Sequence, residues 1–88
     1  MYGQVAWWSR AKSHGIIEVV KDGICERYFV LLSHILRSPA TIQAGQYAKF
    51  EQFAGSVKPG LLPLAVSVVL QNEPFTDSAP ESVKEGAK

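Results

Sequence analysis

Two adjacent tryptophans, Trp7 and Trp8, are followed closely by Arg10, Lys12 and His14, and Phe29 stands further along the chain. Indole, phenyl and imidazole rings offer flat faces, and the two cations offer charge to an anion. The chemistry that combination suits is stacking on splayed, unpaired bases while a phosphate backbone passes the cations. Such stacking is worth about 1–3 kcal/mol per base and tolerates any sequence, because every base has a π face.

Other chemistry finds little support in the residue types. Two histidines and one cysteine make no recurring metal-ligand spacing, and no Gly-rich phosphate loop follows a strand to open a helix. Cys25 has the anionic Glu26 beside it, which works against a nucleophilic thiolate. The carboxylates fall in turns, at strand edges or near the C-terminus, without an apolar setting to tune a pair. The expectation is a binding protein and not an enzyme, with no cofactor and no metal.

The elements that must position these side chains read as strands. Short runs of β-branched and aromatic residues are bounded by Gly, Pro, Asp and Ser. The pattern predicts strands over Tyr2–Ser9, His14–Val20, Glu26–Ser33, Gly45–Phe53 and Leu61–Leu70. Lys21-Asp22-Gly23 makes the tight turn between the second and third, with Gly23 free to take positive φ. Ile35–Ile42 has room for one helical turn, which Pro39 keeps short. Gly15, inside a strand pattern, marks a place where another backbone approaches closely. Alternation puts Gly15, Ile17, Tyr28 and Val30 on one face, and His14, Ile16, Phe29 and Leu31 on the other beside Trp7. Phe50 reads as core and His34 as structural.

The chain has 88 residues, enough for one small domain. Its single cysteine leaves stability to packing, which fits a cytoplasmic chain. The start shows no signal-peptide pattern. No apolar run approaches the roughly 20 residues a membrane helix needs, so no membrane role is expected. Net charge is +1 overall, but residues 1–70 hold seven Lys/Arg against four Asp/Glu, and residues 71–88 hold two against four. A modestly basic body is thus followed by an acidic segment whose polar, proline-containing composition predicts a flexible, disordered tail. The division expected is a barrel over 1–70 and a tail over 71–88.

The spacing of Gly3, Val5, Trp7, Trp8, Ser9, Lys12, Gly15 and Ile17 resembles the opening hairpin of the cold-shock domain family, G-x-V-K-W-F-N-x-x-K-G-F-G-F-I. Phe29, Val30, Ser33 and Ile35 are similar to that family's D-V-F-V-H-F-S-A-I. Ala44-Gly45-Gln46-Tyr47-Ala48-Lys49-Phe50 resembles E-G-Q-x-V-x-F, and Pro63 to Val68 resembles P-x-A-x-N-V. The resemblance implies an all-β fold, a five-stranded antiparallel OB-fold or cold-shock-like barrel. It also implies binding of single-stranded RNA or DNA with low sequence specificity. The residues it points to are Trp7, Trp8, Arg10, Lys12, His14, Ile16, Phe29 and Leu31.

Departures from the family pattern fall mainly at the stacking positions. His14 and Ile16 replace two exposed phenylalanines, Leu31 and Leu32 replace His and Phe, and Ala6 replaces a lysine. Aliphatic Ile16 and Leu31 carry no π face. They motivate the alternative reading, a barrel whose former binding face has become a protein-interaction or weak homodimer surface.

Overall fold

Residues 1–55 and 59–75 are described by a computed structural model. Six strands follow in chain order: β1 (Tyr2–Ser9), β2 (His14–Lys21), β3 (Ile24–Leu31), β4 (Ile35–Arg37), β5 (Tyr47–Gln52) and β6 (Leu64–Gln71). Valine, isoleucine and aromatic side chains, which fit a pleated, half-buried surface, populate all the long ones. The sheet runs β3-β2-β1-β5-β6, and β3 pairs with β6 to close it. The result is a five-stranded barrel of the OB type, with β4 as a short outlier on β6.

The all-β, five-stranded barrel is as expected: its neighbouring pairs are antiparallel, and the closing pair is parallel, with Phe29 opposite Leu64 and Val30 opposite Ala65. A parallel pair needs a long crossover, and the segment carrying β4 and β5 supplies it. The helical turn expected within Ile35–Ile42 falls earlier, as a 3-10 turn over Leu32–His34. Ile35–Arg37 is extended instead and pairs with β6, because β-branched Ile35 packs against the core.

At the β2–β3 hairpin, Asp22 (φ 54°) and Gly23 (φ 78°) both take the left-handed region, the signature of a two-residue type I′ turn. That turn fixes an unbroken register from Lys21↔Ile24 to His14↔Leu31. Gly15, Ile17, Tyr28 and Val30 consequently point inward and are buried, as alternation predicts. They meet Val5, Ala48, Phe50, Ala65, Val68 and Leu70 in one core, where Tyr28 and Phe50 pack edge to face with centroids 5.0 Å apart. Burial raises the Tyr28 hydroxyl pKa, and the nearby Glu26 carboxylate, which accepts its hydrogen bond at 3.3 Å, adds to the shift.

The loop before β5 is anchored by a buried polar residue with its needs met. The Gln46 side-chain amide donates to the Thr41 carbonyl (2.7 Å) and to Asn72 Oδ1 (3.0 Å), while its Oε1 accepts from the Gln43 amide. At the C-terminal side, β6 extends through Gln71, whose side chain donates to the Glu73 carbonyl at 2.7 Å. The Phe75 ring lies 5.8 Å from that of Tyr2, so packing against the barrel continues past the boundary expected at residue 70. The rest of the expected tail, 76–88, lies outside the described residues.

Candidate nucleic-acid interface

A β-bulge in β1 decides which way the two tryptophans face. Val5 pairs with Ile17, but Trp7 pairs with Ile16, so Ala6 is an extra residue without a partner on β2. Strict alternation from buried Val5 would have sent Trp7 into the core. The inserted residue reverses the phase, as bulges do, and Trp7 emerges on the outer face, 49% exposed. Trp8 turns inward, half-buried against the core. Gly15 makes this possible. A Cβ there would meet the Trp7 carbonyl oxygen, Trp8 Cε3 at 2.7 Å and Trp8 Cα at 3.1 Å.

On the outer face three rings form a continuous row across β1, β2 and β3. The Trp7 and His14 centroids are 5.5 Å apart with planes tilted by 50°, and those of His14 and Phe29 are 5.1 Å apart with a tilt of 42°. His14 Nδ1 is buried and, among the described residues, has no hydrogen-bond partner, so contact with its aromatic neighbours holds the ring and not a polar tether. Ile16 sits opposite both Trp7 and Phe29, and Leu31 opposite His14. Both aliphatics are half-buried.

The link between β1 and β2 presents the cations. Ser9 accepts at its carbonyl from the Ser13 amide (2.8 Å) and at Oγ from the Lys12 amide (3.2 Å). Ser13 takes a left-handed φ of 57°. This tight link leaves Arg10 and Lys12 exposed, and among the described residues neither side chain has an ion-pair partner. Trp8 is separated from the aromatic row. It lines a cavity of about 200 Å³ with Arg10, Ser13, Leu32, Thr41 and Ile42. The structure thus unites Trp7, His14, Ile16, Phe29 and Leu31 on one surface and groups Trp8 with Arg10 on another.

Two polar residues that the sequence reading left aside join the outer face. Arg27 Nε donates to Glu18 Oε2 at 3.1 Å, two residues along the hairpin from the Ile16–Phe29 pair and on the same face. The signal was present in the chain: a two-residue Asp22-Gly23 turn sets Glu18 opposite Arg27, and alternation puts both on the face of Phe29. Among the described residues no group of three or more His, Cys, Asp or Glu side chains could hold a metal ion. No helix among them is long and apolar enough to cross a membrane.

No protein-family model matches the chain, and no characterised protein sequence does.

Proposed function

We propose that this barrel binds single-stranded RNA or DNA, with low sequence preference along the aromatic row, as a divergent relative of the cold-shock domain proteins. Trp7, His14 and Phe29 stack on unpaired bases, Ile16 and Leu31 fill the surface between them, and Arg10 and Lys12 receive backbone phosphates. Trp8 contributes from the neighbouring cavity beside Arg10. The observation that carries this reading is the unbroken Trp7–His14–Phe29 row on an outer barrel face. Trp7 is 49% exposed and the half-buried His14 and Phe29 continue its surface, which offers a base ring faces on which to stack. The relation to the cold-shock family rests on motif spacing together with the barrel, and fold alone does not fix function.

Intrinsic tryptophan fluorescence, titrated with oligothymidylate and oligouridylate, tests the proposal. Quenching is expected with both. With two phosphate contacts, the slope of log affinity against log salt should be about −1.4. Unchanged emission at saturating oligonucleotide would overturn it.

Self-association through Ile16 and Leu31 is the second reading. Exposed Leu32 (48%), Leu61 (63%) and Leu62 (40%) favour it, and the half-burial of Ile16 and Leu31 within one chain weighs against it.

A further inference from the structure

Bordering the aromatic row at Trp7 lies a groove of about 340 Å³, near the lower end of the range for small-ligand clefts. Its lining is Trp7, Ala6, Ile16 and Leu62 as apolar walls, with Glu18 and Arg27 as the polar groups. Ala6 is the extra residue of the β1 bulge, and its small side chain keeps the groove open next to the Trp7 ring.

The polar pair is arranged to offer both kinds of hydrogen bond. Glu18 engages Arg27 through Nε alone, and among the described residues neither terminal nitrogen of Arg27 has a partner. The guanidinium is therefore oriented at its root with its fork free. Among the described residues the other carboxylate oxygen of Glu18 has no hydrogen-bond partner. A phosphate suits this place poorly, since the carboxylate would repel it and already balances the arginine's charge. A base edge with two adjacent acceptors suits the free fork.

Building on the nucleic-acid reading above, we propose that this groove is a guanine-selective subsite, so that a strand bound without preference along the row is read at one position. Guanine presents the adjacent acceptors N7 and O6 to the Arg27 fork, the commonest specific arginine–base contact. Glu18, bound at Nε, fixes the direction in which that fork points. The Trp7 ring and the apolar walls cover the faces of the base. On the same edge adenine sets a donor beside N7, thymine offers one acceptor and cytosine none, so each leaves part of the fork unmatched.

The test measures competition by oligothymidylates carrying one guanosine at each position in turn, with tryptophan quenching as the readout. One register position should bind tighter by roughly five- to a hundred-fold. 7-Deazaguanine there, which lacks the N7 acceptor, should lose most of the gain, and inosine, which keeps N7 and O6, should retain it. Arg27→Lys should bring the guanine-to-thymine affinity ratio toward one. Because the Arg27–Glu18 pair is close to neutral overall, the gain should change little with salt while overall binding weakens. Binding of oligothymidylate with all guanine positions within about two-fold of it, or a preference for cytosine, would overturn the subsite and leave the stacking reading standing. Failure of every oligonucleotide to bind would overturn both.

Discussion

Replacing Gly15 with alanine adds a single methyl group at the point where the two tryptophans are sorted to opposite faces. The new Cβ meets the Trp7 carbonyl oxygen, Trp8 Cε3 at 2.7 Å and Trp8 Cα at 3.1 Å. Two of those three atoms are backbone and have no rotamer to move into, so β1 must shift away from β2 or the bulge must rearrange. Overpacking a tight site costs about 1–3 kcal/mol, and backbone obstacles argue for the upper end. For a domain of this size each 1 kcal/mol lowers Tm by about 4–8 °C, so a loss of roughly 12–24 °C is expected. The indole environments should change with it, because Trp8 lies over Gly15 and Trp7 is its neighbour. Thermal unfolding followed by near-ultraviolet circular dichroism reads both effects. A variant melting within about 3 °C of the parent, with its tryptophan bands intact, would refute the packing argument and the assignment of Trp7 to the outer face that depends on it.

The adjacent tryptophans should behave oppositely when replaced. Trp7→Leu keeps apolar bulk and should weaken oligonucleotide binding by about 1–3 kcal/mol with Tm little changed, whereas Trp8→Leu should cost about 1–2 kcal/mol of stability; equilibrium titration and urea unfolding separate the two. The Tyr28 hydroxyl has its pKa raised by burial and by Glu26, so the folded chain holds that proton at a pH where the unfolded chain has released it. Its contribution is full below the unfolded value of about 10 and is lost as pH rises through the folded value. Urea unfolding across the alkaline range should show a decline that Tyr28→Phe lessens; an identical decline in that variant would remove Tyr28 as its source. Leu31→Lys should lower stability by about 1 kcal/mol and leave the sedimentation coefficient unchanged, since Leu31 is half-buried within one chain. A parent that sediments as a dimer, and a variant that sediments as a monomer, would restore the self-association reading.

Where local rules act alone, the chain could be read closely. Asp22-Gly23 set the hairpin, its register and hence the inward set Gly15, Ile17, Tyr28 and Val30, and turn chemistry with alternation sufficed for that. The reach of β1 was equally plain from its residues. What local rules could not supply was the bulge at Ala6, since alternation alone buries Trp7; motif spacing and not periodicity put that ring outside. Ser67 poses the same problem in β6. It takes a φ of 53° where the register with β5 slips, so Ala65 and Val68 both face inward at a spacing of three. Parallel closure of β3 on β6 and the extended conformation of Ile35–Arg37 depend on partners distant in sequence. The Arg27–Glu18 pair was derivable from the hairpin register but carries no aromatic or motif signal, and the groove it lines depends on the same bulge.

The central claim, that a single strand lies across the Trp7–His14–Phe29 face, is tested most directly by the amide spectrum of nitrogen-labelled protein titrated with oligothymidylate. Shifts are expected to concentrate at residues 7, 14, 16, 29 and 31, at the Trp7 indole N–H, and at the link carrying Arg10 and Lys12. Resonances of β4 and of the outward residues of β5 should stay in place. Shifts confined to β5 and β6, or none at saturating oligonucleotide, would contradict it.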